Sequence, residues 1–176
     1  MILLKRLPGL THVTSLEFCF GNVVQGHFDL NYFYTFENLR DLKVTFTKGR
    51  VYPELSSNLT YLSKLERLTV ECDYDGQVTL LLDVKWNLMS QLQTVTLHAG
   101  ALQFGPSVLG FLKLRGLTRV EIDTAMLQGN ETMVYFGVLM YSMAIHRPDI
   151  ALHMIKPWAL GPYTPSELLA KFNAFL

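Results

Sequence analysis

A short phrase of the form apolar-x-x-apolar-x-apolar returns five times at nearly constant spacing, and this limits the chain to architectures built by stacking. The copies are Val13-x-x-Leu16-x-Phe18, Leu39-x-x-Leu42-x-Val44, Leu65-x-x-Leu68-x-Val70, Leu92-x-x-Val95-x-Leu97 and Leu117-x-x-Val120-x-Ile122. Their first residues lie 26, 26, 27 and 25 positions apart. A sixth copy, Ile150-x-Leu152-x-Met154, keeps only the alternating end. Self-similarity with a period in the twenties marks a repeat array. One unit cannot close a core alone, whereas stacked units bury a shared one.

The end of each phrase alternates apolar and polar, the period of a strand with one buried face. It predicts six strands, near 15–20, 41–46, 67–72, 93–98, 118–123 and 150–154. Between them the apolar spacing and the Pro and Gly breaks predict helical crossovers near 28–38, 53–62, 80–89, 107–114 and 131–146. Parallel strands need such crossovers. Thr164-Pro165-Ser166-Glu167 reads as a capping box opening a last helix over 165–175, with Leu168, Leu169, Phe172 and Phe175 on one side. The reading is one α/β domain over 1–176, with repeats over about 10–155 and a C-terminal cap over 156–176.

The L-x-x-L-x-[LVI] cores, such as Leu65-Glu66-Arg67-Leu68-Thr69-Val70, resemble the leucine-rich repeat superfamily. The period and the crossovers look most like its ribonuclease-inhibitor-like and cysteine-containing classes, the latter common in F-box substrate receptors. The resemblance implies a solenoid, with a concave parallel sheet of about six strands, helices on the convex side and a polar concave face that binds proteins. One departure is plain. Where the family places Asn or Cys after the core, this chain has Gly21, Thr47, Asp73, Gly100 and Ala125. Irregular strand-to-crossover loops are the expectation.

The outward strand positions form three columns: Ser15, Asp41, Arg67, Thr94 and Arg119; Glu17, Lys43, Thr69, Thr96 and Glu121; Cys19, Thr45, Glu71, His98 and Asp123, with His153 extending the third. Asp41 beside Arg67, and Glu17 beside Lys43, predict ion pairs between neighbouring strands. Candidate partner-binding residues are Asp41, Lys43, Arg67, Thr69, Glu71, Thr96, His98, Arg119, Glu121 and Asp123. The same columns also read as a solvated face with compensated charges. Glu71, His98 and Asp123 are metal-capable types on adjacent strands, but nothing supplies a fourth ligand, and the trio lacks a nucleophile and a pocket. No phosphate-loop, metalloprotease or nucleophile-elbow motif occurs. The sequence therefore predicts no catalytic, cofactor or metal site. The aromatic run Phe28, Tyr32, Phe33, Tyr34 and Phe36 divides between core and surface in this reading.

Fifteen basic residues balance fifteen acidic ones. This argues against a dominant nucleic-acid or acidic-membrane role, which rests on excess positive charge. The longest apolar run, near 133–145, is too short to span a bilayer, and no signal peptide is read at the N-terminus. Two cysteines on repeats one and three stand too far apart to bridge, which fits a reducing, intracellular compartment, cytoplasmic or an organelle matrix. The short N-terminal stretch predicts an edge covered by another chain. Three functional expectations follow: a non-enzymatic protein-interaction or scaffold subunit within a larger complex; a substrate-recognition module of an F-box-type ubiquitin ligase, for which no adaptor-binding segment is read; or an accessory subunit of a respiratory or ribosomal assembly, peripheral to a membrane complex in the respiratory case.

Overall fold

The computed structural model describes residues 10–20, 36–47, 59–72, 77–78, 85–103, 105–127, 130–155 and 162–163. The expected helix over 165–175, the aromatics Phe28, Tyr32, Phe33 and Tyr34, and the N-terminal residues 1–9 lie outside them.

One sheet organises the chain. Its strands are β1 (Ser15–Phe20), β2 (Asp41–Phe46), β3 (Arg67–Cys72), β4 (Gln77–Val78), β5 (Thr94–Leu102), β6 (Arg119–Leu127), β7 (Ala151–Ile155) and β8 (Pro162–Tyr163). Strands β1, β2, β3, β5, β6 and β7 lie side by side in chain order, and every neighbouring pair is parallel. The short β4 also pairs with β5, at Gln77↔Ala101 and Val78↔Leu102, beyond the stretch that β3 occupies. β8 adds an antiparallel pair on the β7 edge. The class is α/β, with a six-lane parallel sheet and one α-helix, α1 (Asn130–His146), among the described residues.

Strands β2, β3, β5 and β6 enter the sheet through the same two backbone devices, and β1 and β7 share the first. The first is a three-residue turn closed by an N–H to C=O bond: Val13 to Leu10, Leu39 to Phe36, Leu65 to Leu62, Leu92 to Met89, Leu117 to Leu114 and Ile150 to Arg147, at 3.0–3.1 Å. The second is a carbonyl shared by two donors of the next repeat. Thr14 O accepts from Arg40 and Asp41, Arg40 O from Glu66 and Arg67, Glu66 O from Gln93 and Thr94, and Gln93 O from Thr118 and Arg119, all within 2.8–3.1 Å. These bonds hold the register, so Leu16, Leu42, Leu68, Val95, Val120 and Leu152 fall in one line and Phe18, Val44, Val70, Leu97, Ile122 and Met154 in the next.

The sixth copy is one residue shorter, and the ladder shows where. Ile150 N–H closes the turn onto Arg147 O, so only Ala151 N–H remains to reach Thr118 O, at 2.8 Å.

The helix expected near 131–146 forms as α1, but three earlier crossovers differ from α-helices where they are described. Leu59–Tyr61, Trp86–Leu88 and Pro106–Lys113 are 3-10 segments, and Phe36–Asn38 begins a turn. The reason lies in the spacing. Leu59, Leu62 and Leu65 recur every third residue, as do Trp86, Met89 and Leu92, and Val108, Phe111, Leu114 and Leu117; all are at most 2% exposed. A 3-10 turn has three residues, so positions i and i+3 stand in line. Only α1 buries a 3.6-residue pattern: Thr132, Phe136, Leu139, Met140 and Met143. Strands β5 and β6 also run to Leu102 and Leu127, past the Gly100 and Ala125 expected to begin loops.

The core lies between the sheet and these crossovers. Trp86 is 1% exposed and meets Phe111 edge-on, ring centroids 4.6 Å apart. Gly110 lets Trp86 come this near: a Cβ there would stand 2.9 Å from Trp86 Cδ1 and 3.1 Å from its Cβ. Arg147 takes the place that Leu10, Phe36, Leu62, Met89 and Leu114 hold in the other turns, and it works by hydrogen bonding. Its guanidinium donates to Leu114 O and Leu117 O, both at 2.9 Å, and to Leu112 O at 3.5 Å. It also pairs with Asp149, whose carboxyl it holds below the usual carboxylate range.

Two stability outcomes are expected. Gly110→Ala destabilises by about 1–3 kcal/mol, because the ring of a packed Trp must shift. Gly116→Ala, whose Cβ meets only carbonyls at 3.5–3.6 Å, serves as the milder control. Arg147→Ala costs about 1–3 kcal/mol by leaving turn carbonyls without their donor, and Arg147→Lys restores only part, since an ammonium lacks the planar fork. Urea unfolding of the four variants against wild type measures both.

Candidate functional site

Alternation within a strand sends every second side chain to the face opposite the core. In β2 and β3 the inward residues are buried and the outward ones partly or fully exposed. The register places the ten candidate residues on that outward face. Asp41, Arg67, Thr94 and Arg119 share one row. Lys43, Thr69, Thr96 and Glu121 share the next, and Glu71, His98 and Asp123 a third with Thr45. One assignment is corrected: His153 pairs with Glu121 and so extends the second row, while Ile155 stands opposite Asp123. The shortened sixth copy shifts the alternation by one residue relative to its own turn.

Both expected ion pairs form. Arg67 grips Asp41 with two donors, Nε to Oδ1 and Nη2 to Oδ2, the latter at 2.7 Å. The contact raises the Arg67 pKa above its ordinary value. Lys43 Nζ lies 3.6 Å from Glu17 Oε1 and 2.9 Å from Glu71 Oε2. The hydrogen bond to Glu71 is the largest influence on Lys43 and raises its pKa. Glu71 Oε2 also accepts from Thr45 Oγ1 at 3.2 Å.

The chain of contacts continues across the sheet. His98 stands between two carboxylates, with Nδ1 4.0 Å from Glu71 Oε1 and Nε2 3.4 Å from Glu121 Oε1. Arg119 Nη2 then donates to Glu121 Oε2 at 2.7 Å. Glu17, Lys43, Glu71, His98, Glu121 and Arg119 thus form one connected line over strands β1, β2, β3, β5 and β6. Thr69, Thr96 and Asp123 flank it without entering it. At its β1 end an open depression of about 400 Å³ is lined by Ser15, Leu16, Glu17, Asp41, Leu42, Lys43, Arg67 and Thr69.

The trio of Glu71, His98 and Asp123 does not converge: the second carboxylate at His98 is Glu121. Among the described residues no three His, Cys, Asp or Glu side chains gather as metal ligands do. The cysteines point to opposite faces, Cys19 exposed beside Thr45 and Cys72 buried opposite Phe46. No disulfide joins them. Among the described residues no helix is long and apolar enough to cross a membrane.

A second polar ladder, along the strand entries, escaped the sequence reading. Arg40 Nη1 donates to Glu66 Oε1 at 2.7 Å. Lys64 Nζ donates to Asn38 Oδ1, and Asn38 Nδ2 to Thr11 O, each at 2.6 Å. Its signal was available: 38 and 64, like 40 and 66, are one 26-residue period apart. An Asn thus bonds along the stack before the core phrase instead of after it.

Comparison of the chain with protein-family models, with curated proteins and with solved structures gives no match.

Glu121 offers a direct measure of this electrostatic line. Its side chain is 17% exposed. Burial is the largest single influence and pushes its pKa up, but hydrogen bonds from Arg119 and His98 and their charges outweigh it, so the carboxyl titrates below its ordinary value. A depressed carboxylate contributes stability above its unfolded-state pKa, and that contribution disappears as pH falls through the folded-state value. Arg119→Met is expected to move the Glu121 titration upward, read by NMR of the carboxyl carbon against pH. An unchanged midpoint contradicts the assigned pair.

Proposed function

We propose that the chain is a leucine-rich-repeat-like solenoid whose outward sheet face binds a protein, and that it acts as a non-enzymatic interaction or scaffold subunit of a larger complex. The observation that carries this reading is the face itself. Five parallel strands present polar and charged side chains in register, linked across the sheet and still open to solvent, with Arg67 61%, Arg119 49% and Lys43 40% exposed at the side chain. Repeat proteins engage partners over such extended surfaces. Exposed ion pairs contribute little to folding, so a line of them has more to offer a partner than the fold. Charged arrays set partner choice and association rate through complementary potential.

A tagged chain purified from its native cells, alongside the Lys43→Glu/Arg67→Glu double variant, tests this. The wild type is expected to retain a defined protein partner at physiological salt. The double variant should fold with a similar melting temperature and lose that partner by tenfold or more. Retention of the same partners by both proteins overturns the assignment of this face. Metal-dependent hydrolysis abolished by His98→Ala overturns the non-enzymatic reading.

A further inference from the structure

Helix α1 carries two apolar faces, and the body of the protein uses one. Thr132, Phe136, Leu139, Met140 and Met143 are buried. Val134, Val138, Tyr141 and Ile145 are 60%, 43%, 57% and 51% exposed. At about 100° per residue these four fall within roughly 60° of one another, and about 180° from the buried set. They point straight away from the body. A helix with one solvent face ordinarily carries charge there. Between Glu131 and His146 this helix has none.

The spacing of the outer stripe is specific. Positions 134, 138, 141 and 145 are separated by four, three and four residues, the d-a-d-a order of a coiled-coil seam. We propose that α1 pairs with the α1 of a second copy of this chain, antiparallel, through Val134, Val138, Tyr141 and Ile145. Three features favour this occupant. Antiparallel pairing about the middle of the stripe sets Val138 against Tyr141 of the other copy and Val134 against Ile145, so each layer matches a smaller side chain with a larger one. Parallel pairing stacks Tyr on Tyr and Val on Val. The helix ends carry unlike character, Glu131 in the first turn and His146 in the last, so antiparallel copies bring unlike ends together. Finally Gly137, Ser142 and Ala144 flank the stripe, small residues that let two helices approach. A membrane surface fits less well, because interfacial helices carry Lys and Arg on the polar face and α1 has neither. This inference is independent of the sheet face and its partner.

Four side chains make a small contact, below the ~1,000 Å² of a typical specific interface, so the expected dimer is a micromolar one. Sedimentation velocity of the full chain across the micromolar range should show reversible dimerisation, and Val138→Glu or Tyr141→Glu should weaken it about tenfold or more. Both positions are exposed, so circular dichroism and melting temperature are expected to hold. In a Cys19→Ser background, Val138→Cys/Tyr141→Cys should cross-link two copies under mild oxidation, and Val134→Cys alone should not. A chain that stays monomeric overturns the proposal, including the case where deletion of residues 164–176 releases a dimer and so assigns the stripe to the chain's own C-terminal segment. A dimer indifferent to both glutamates overturns it too, as does binding to phosphatidylcholine or phosphatidylserine vesicles that those glutamates abolish.

Discussion

The structure depends on a carbonyl that serves two donors. Thr14, Arg40, Glu66 and Gln93 each accept from consecutive N–H groups of the following repeat, so every strand begins level with its predecessor. Side chains alternate with period two, and a slip of one residue would send each apolar set to solvent and each polar set to the core. The shared carbonyl removes that freedom at the point where the strand starts. The closed three-residue turn just upstream fixes the direction of entry. Together they turn a periodic sequence into straight columns, buried on one side and polar on the other.

This division of labour explains what could be read from the chain alone. Strands β1, β2 and β3 have the expected bounds because their alternation is strict and each inward residue is apolar. The columns followed from those bounds, and so did the pairs Asp41–Arg67 and Glu17–Lys43. The crossovers were harder. An apolar residue every third position resembles one face of an α-helix over a short window, and only the unbroken runs 86-89-92 and 108-111-114-117 separate period three from 3.6. Gly100 seemed to end a strand, but β5 runs through it to Leu102. Arg147 was illegible for another reason. Its role depends on three carbonyls from a segment 30 to 35 residues earlier, and no local pattern encodes that.

The polar face illustrates a limit of column reasoning. Rows predict which residues stand side by side, and Glu17–Lys43, Asp41–Arg67 and Thr45–Glu71 keep to them, but two contacts step between rows. Lys43 bonds Glu71, one row over, and His98 reaches Glu121 by the opposite oblique step. Long side chains on a pleated surface reach the diagonal neighbour about as easily as the direct one. The result is one connected line in place of three parallel rows, and it draws in Thr45 as a donor to Glu71. Lys43 and His98 both lean on Glu71.

The last repeat departs from the rest at three linked points. Its strand entry is one residue shorter, its turn begins with Arg147 where the others have an apolar residue, and its crossover is the only α-helix among the described residues. A crossover with an α-helical apolar period cannot line up its side chains at every third position, so it delivers the chain to the turn without an inward apolar group. Arg147 fills that place by bonding to the Leu114 and Leu117 carbonyls of the previous turn, a polar contact where the other turns place an apolar side chain. The entry is then one residue shorter: Ile150 closes the turn, and β7 begins at once with Ala151. What remains is a helix held on one side by Phe136, Leu139, Met140 and Met143 and apolar on the other, beside described 3-10 crossover segments too tight to form such a ridge.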